Sequence, residues 1–268
     1  MKRLLLLAAL AALAGCSLNR TAARVTSGVV DAGLPAVFSQ SDPQYVKEAL
    51  PANLQLMEIL LASDPGNKAL LLNAAQGFCG YAFMFLEDED PARASVFYLK
   101  GQAYAGRALD GATAATAKKR DAHPLFWHTF CKALYMNINR DKPEAIAEIP
   151  ELEPAANKLL ELDPGYYYNA AHDILGAYHA IRPRLMGGSP EKAAAEFELA
   201  LKGAGADFQL SRFMYAKMAA VAAQDPELFE RLLTEIINAE PKDGDTRLAN
   251  EVARQKAKKL LEKKDELF

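Results

Sequence analysis

One tryptophan, three cysteines and four histidines are all that 268 residues hold of the types richest in site chemistry. No His-Glu-x-x-His, no Gly-x-Ser-x-Gly, no phosphate-binding glycine loop and no cysteine cluster occurs. Those absences remove the common motifs of zinc proteases, serine hydrolases, nucleotide binders and structural zinc sites. No nucleophile–base–orienter set stands out either, so no catalytic residue, metal or cofactor is expected and the chain does not read as an enzyme. Positive charge is scarce: 31 Lys and Arg stand against 34 Asp and Glu, a net charge of −3. That balance excludes the basic footprint of a nucleic-acid binder. Runs of β-branched residues are missing while Ala, Leu and Glu abound, which favours helices throughout.

The apolar run Leu4–Ala14 covers only 11 residues, too few to span a bilayer. Lys2 and Arg3 precede it, so it reads as a secretion signal. The segment ends in Leu13-Ala14-Gly15-Cys16, which looks like the lipobox of a bacterial lipoprotein. That resemblance implies cleavage before Cys16 and acylation of its thiol and new amine. Ser17 after the cysteine resembles the outer-membrane sorting rule, so an outer-membrane anchor facing the periplasm is favoured. Losing Lys2 and Arg3 with the leader takes the net charge from −3 to −5. Residues 1–15 are then a signal peptide, 16–40 a lipidated tether rich in small and polar residues, and 41–268 the folded body. Cys79 and Cys131 each fall inside a helical pattern and read as small buried hydrophobes in preference to a disulfide.

Helices are expected near 43–62 (interrupted at Pro51), 67–86, 91–109, 124–139, 151–162, 166–182, 189–202, 208–223, 226–238 and 245–263. Asp42-Pro43, Asp90-Pro91, Ser189-Pro190 and Asp225-Pro226 each place a capping side chain before a proline at the first helical position. The acidic run Glu87-Asp88-Glu89-Asp90 reads as a loop and cap. His172 and His179 share a helix face beside Asp173, but seven residues apart they miss the i, i+4 spacing of a helical metal pair.

Between Asp163 and Lys202 the chain resembles a tetratricopeptide repeat. Leu175-Gly176 with Tyr178 matches the first-helix signature, and Ala193, Phe197 and Ala200 give the spacing of the second. Small residues at Gly176, Ala193 and Ala200 let two helices approach, with Phe197 filling the groove between them. About five residues more than a standard repeat allows are absorbed by Arg182–Gly188. Leu60–Gly66 and Leu159–Gly165 both resemble the closing Leu-x-x-Asp-Pro of a repeat. The last helix carries a stripe of Leu248, Val252, Ala253, Ala257, Leu260 and Leu261, suited to closing a helical array. The expected fold is all-α, a degenerate tetratricopeptide-like solenoid of antiparallel helix pairs with a C-terminal capping helix.

The order of segments is similar to the T-component family associated with tripartite ATP-independent periplasmic (TRAP) transporters. The resemblance is carried by ALPANLQLMEILLASDPGN (49–67), the stretch 74–109, FWHTFCKALYMNI (126–138) and the block around DPGYYYNAAHDILGAYHAIRP. It continues through GGSPEKAAAEFELAL, QDPELFERLLTEII (224–237) and RLANEVARQKAKKLL (247–261). It implies a periplasmic lipoprotein that forms homotrimers, carries an apolar pore in each protomer and docks the transporter's substrate-binding (P) component. A tetratricopeptide lipoprotein scaffold for envelope or outer-membrane protein assembly is the alternative.

Aromatic residues are the candidate ligand-facing groups. Phe78, Tyr81 and Phe85 recur at helical spacing on one helix, Trp127, Phe130 and Tyr135 on another, and Tyr166-Tyr167-Tyr168 open a third. Phe130 and Phe197 read as core. Phe78, Tyr81, Phe85, Trp127 and Tyr168 fit either core packing or the wall of a pore for an apolar or amphiphilic ligand.

Overall fold

A capping side chain followed by proline sets the start of four long helices, at Pro43, Pro91, Pro190 and Pro226. The computed structural model describes residues 2–268, with side chains from Leu18 onward; Met1 and the side chains through Ser17, including the thiol of Cys16, lie outside the described residues. The long helices are α1 (Lys2–Phe38), α2 (Pro43–Ser63), α3 (Lys68–Tyr81, prolonged by a π-helical turn, Ala82–Leu86), α4 (Pro91–Leu109) and α5 (Ala122–Ile138). Next come α6 (Leu152–Leu162), α7 (Tyr166–Ile181), α8 (Pro190–Ala200) and α9 (Gln209–Met214, prolonged by a π-helical turn, Tyr215–Ala220, and Val221–Ala223). The chain closes with α10 (Pro226–Asn238) and α11 (Arg247–Leu261). No strand occurs among the described residues, so the fold is all-α.

All four expected caps form. Asp42 accepts the amides of Gln44 and Tyr45, Asp90 that of Arg93, Ser189 that of Lys192 and Asp225 that of Leu228. Each satisfies a donor that the first helical turn leaves free.

Each long helix from α2 to α8 packs on a sequence neighbour, and α10 packs on α11. In the pair α7–α8, Ser189 donates its amide to the His179 carbonyl, His172 meets Glu196, and Asn169 reaches the Ala200 carbonyl. Contacts step down one helix as they climb the other, so the two run antiparallel. Gly176, Ala193, Phe197 and Ala200 meet at this interface, where the latter three are wholly buried. A Cβ on Gly176 would lie 2.7 Å from the Phe197 ring. Glycine to alanine within a helix ordinarily gains up to about 1 kcal/mol. Here Gly176→Ala is expected to lose about 1–3 kcal/mol by overpacking. Urea denaturation of Gly176→Ala, Phe197→Leu and the double variant should show the pair as strongly non-additive.

Three regions depart from the sequence reading. The segment 16–40, expected as a tether, belongs to a helix that runs to Phe38. Ala23 and Ser27 are buried, and Val30 and Val37 pack on the core, a stripe spaced for one helix face. Arg20 and Arg24 hold the 1 % exposed Asp64 at 2.7 and 3.0 Å, which pins this helix to the end of α2. Secondly, Pro51 does not interrupt α2. Thirdly, the acidic run 87–90 does more than cap α4. Glu87 accepts from Lys217 Nζ at 2.6 Å, Asp88 pairs with Lys256, and Glu89 pairs with Lys47 at 2.6 Å. Lys256 also donates to the Phe83 carbonyl at 3.1 Å. These ties bind α9 and α11 to the loop after α3, across 130 and 168 residues of sequence. Correspondingly, α11 covers α9 and α10 and also touches α1 and α2, so the last long helix meets the first.

The stretch Lys68–Leu86 is apolar and long enough to cross a membrane by composition, yet 67 % of its apolar window is buried inside the protein. It is the central helix of the body; its own Cys79 and Cys131 of α5 are both buried and free.

Candidate functional site

The central helix carries a glycine where a neighbour could have packed. Gly80, with Gln76 above it and Phe83 and Met84 in the π-helical turn below, forms one wall of a cavity of about 410 Å³. π-Helical turns insert one extra residue and shift the side chains that follow, and they recur at functional sites. Here the turn is closed by the Glu87 amide on the Ala82 carbonyl at 2.9 Å. Trp127 and Phe130 of α5 make the second wall, and Phe208 with Leu210, Ser211 and Met214 of α9 make the third. The volume lies within the usual range for small-molecule sites, and the lining is mostly apolar.

The fourth wall comes from a backbone that no ordinary helix start would give. Tyr167, Tyr168 and Asn169 sit in the left-handed region at φ of 48, 62 and 65°. Left-handed geometry costs a residue with a side chain about 1–2 kcal/mol. Side-chain contacts hold it in place. Asn169 Nδ2 donates to the Lys202 carbonyl at 2.6 Å, and Tyr168 stacks on Phe208 with centroids 4.5 Å apart. Tyr167 packs edge-on against Trp127 at 4.9 Å and Phe208 at 5.7 Å. The turn thereby places two successive tyrosines on the cavity wall.

One polar group on that wall lacks a partner. Asp173 is 2 % exposed; its Oδ2 accepts from Ser211 Oγ at 2.6 Å, while its Oδ1 has no hydrogen bond. Burial pushes the carboxyl up to about 7, a rise that the Ser211 hydroxyl only partly opposes.

The candidate residues divide. Trp127, 1 % exposed, and Tyr168 border the cavity. Trp127 also donates Nε1–H to the Tyr166 hydroxyl at 3.1 Å. Tyr81 lies on an adjoining apolar cavity of about 210 Å³, which shares Phe38, Gln76, Gly80, Met84, Tyr167 and Leu248 with the first. Phe85 faces a smaller, polar cleft beside Lys47, Asp88 and Lys256. Phe78 borders neither apolar cavity; its ring packs between Phe97 and Tyr104, under Lys100. His172 turns to Glu196 at 2.7 Å and away from Asp173's chamber.

Tyr81 has a second task that explains the unbroken α2. Proline at 51 has no N–H to give the carbonyl four residues earlier, which belongs to Lys47. The Tyr81 hydroxyl donates to that carbonyl at 3.1 Å. Tyr81→Phe should cost about 1 kcal/mol in the wild-type background. The loss should shrink in Pro51→Ala, where the backbone supplies the missing donor; equal losses by thermal denaturation in both backgrounds would reject the pairing.

A family model described as TRAP transporter T-component matches residues 39–268. The chain belongs to the TRAP transporter T-component family. No curated protein matches it at a significant level. Membership makes this T-component an accessory of an envelope transport system, outside the known enzyme families. The match covers α2 to the C-terminus, and every wall of the main cavity except Phe38 lies within it.

Sequence reasoning missed Asp173, Ser211 and Phe208 as lining residues and named Tyr167 only within the run Tyr166-Tyr167-Tyr168. A signal for Asp173 existed: it is the one acidic residue in Asn169–Ala180, a stretch otherwise small or apolar apart from its histidines. Read beside His172 as a metal pattern, it gave nothing; read as a charge in a buried helix, it marks a site.

Proposed function

We propose that this T-component works as a passive, non-enzymatic chamber and scaffold held at the envelope by a lipid on Cys16. It docks the substrate-binding (P) component of its transporter and holds an apolar or amphiphilic ligand in the paired cavities on its way through. The functional form is a homotrimer in the periplasm, anchored to the outer membrane. The observation that carries this reading is the pair of adjoining apolar cavities sharing the Gly80 wall inside a fold with no reactive constellation around it. Catalysis would need a nucleophile and base placed together. The cavity instead offers rings, aliphatic side chains and the carboxyls of Asp173 and Asp245, which bind and release.

Affinity purification from detergent-solubilised membranes tests the role. Recovery of a TRAP substrate-binding protein supports it. Recovery of outer-membrane assembly proteins in its place would turn the assignment to an assembly scaffold.

A further inference from the structure

We infer that the outer face of α1 is a coiled-coil seam through which copies of this chain join, each α1 parallel to the α1 of its neighbour. The inference rests on the homotrimer reading above and names the surface that joins its protomers. Leu18, Ala22, Val25, Val29, Ala32 and Ala36 follow one another at alternating steps of four and three residues. That is the a/d spacing of a heptad repeat, which aligns one narrow apolar stripe against a partner helix. All six are exposed, Val25 by 66 % and Val29 by 68 %, so the protomer itself does not cover them. The other positions divide as a seam requires. Arg20, Ala23, Arg24, Ser27, Val30 and Asp31 fall at b, c and f, and these are committed to the body. Ala23 and Ser27 are buried, Val30 packs on the core, the two arginines hold Asp64, and Asp31 accepts from Asn73. Bordering the stripe at e and g stand Asn19, Thr21, Thr26, Gly28, Gly33 and Pro35, so identical helices side by side bring no like charges together. A Cβ on Gly28 would meet nothing within 4 Å. No contact inside the protomer asks for glycine there, whereas a second helix closing on the stripe does. A copy of the chain fits this face better than a lipid surface. Helices that lie on membranes pair bulky apolar side chains with a basic polar face. Here the stripe is mostly alanine and valine, and Arg20 and Arg24, the basic residues of the stretch 18–38, are committed to Asp64. Acyl chains on Cys16, two residues before the seam, would hold the copies parallel and in register.

The test is sedimentation equilibrium of the protein purified from detergent-solubilised membranes, in density-matched non-ionic detergent, with wild type beside Val25→Asp/Val29→Asp. Both positions are exposed in the protomer, so the variant should keep its helical circular dichroism. The expected result is an assembly in wild type and association weakened about tenfold or more in the variant, because each new carboxylate meets its own copy. Oxidation of Val25→Cys should also give a cross-linked pair that survives denaturant, with Val96→Cys, exposed on α4, as the control for random collision. An assembly unweakened by the double variant, or a Val25→Cys that links no better than Val96→Cys, overturns the inference and leaves the homotrimer reading standing. A monomeric wild type overturns both; if that monomer binds phosphatidylcholine vesicles only with its two valines intact, the face belongs to lipid. Should the double variant not fold, the cross-linking decides alone.

Discussion

Replacing Lys217 with Met lowers the unfolding free energy by about 3–5 kcal/mol, the cost of leaving a buried charge uncompensated. Glu87 is 6 % exposed and has two partners, the Tyr98 hydroxyl at 2.6 Å and Lys217 Nζ at 2.6 Å. Burial pulls the Lys217 ammonium down, but Glu87 and Asp88 outweigh it and hold the group above its ordinary value. Without Lys217, the nearly buried Glu87 carboxylate keeps one neutral donor, the Tyr98 hydroxyl. The same change cuts the main tie between α9 and the loop after α3. Adding Glu87→Gln removes the stranded charge, so the double variant should recover much of the loss. Urea denaturation of the three variants checks both statements. A single-variant loss under about 1 kcal/mol would place this pair with ordinary surface ion pairs.

Asp173→Asn becomes progressively more stable relative to wild type as the pH rises from 4 to 8. The folded carboxyl keeps its proton up to about 7, whereas the ordinary value is 3.8. Between those values the folded state binds more protons than the unfolded state, so wild-type stability falls as pH rises. A difference of about 3 pH units corresponds to about 4 kcal/mol accumulated by pH 8. The asparagine variant has no such term. Its amide leaves one unpaired donor in place of Oδ1, a constant offset at all pH values that shifts the curves without changing their divergence. Melting temperatures of both proteins across this range should therefore separate with rising pH. Parallel curves would mean that Asp173 titrates normally.

Local chemistry was legible in the sequence and long-range chemistry was not. Asp42, Asp90, Ser189 and Asp225 announce their helices because cap and proline act within one turn, and Gly176 announces its contact because only a small residue admits a ring. The acidic run 87–90 looked like a loop because its partners, Lys217 and Lys256, lie more than 120 residues away. Pro51 looked like a break because the donor that rescues it, Tyr81, comes from another helix. Residues 17–40 looked like a linker by composition, but Ala23, Ser27, Val30 and Val37 fall on one helical face, and two arginines find a buried Asp64. The left-handed run at Tyr167–Asn169 has no sequence signature. Three residues with side chains adopt it because Phe208, Lys202 and Ala200 hold them there. Helical spacing of the aromatics marked candidate cavity walls, and Trp127 and Tyr168 stand on one. Phe78 and Phe85 share their spacing yet face elsewhere, since periodicity gives a helix face and not what lies opposite it.

Filling the chamber tests the central claim most directly. Gly80 lies on the wall of both cavities, and a Cβ there would meet nothing nearer than Met84 Cε at 3.8 Å. Leucine at this position enters open space, and removing a helical glycine gains up to about 1 kcal/mol. The measurement is binding of the neutral probe N-phenylnaphthylamine, read through quenching of Trp127, in wild type and Gly80→Leu side by side with their melting curves. The account predicts saturable binding by wild type, its loss in Gly80→Leu, and an unchanged or higher melting temperature. Undiminished probe binding by a well-folded Gly80→Leu would contradict it.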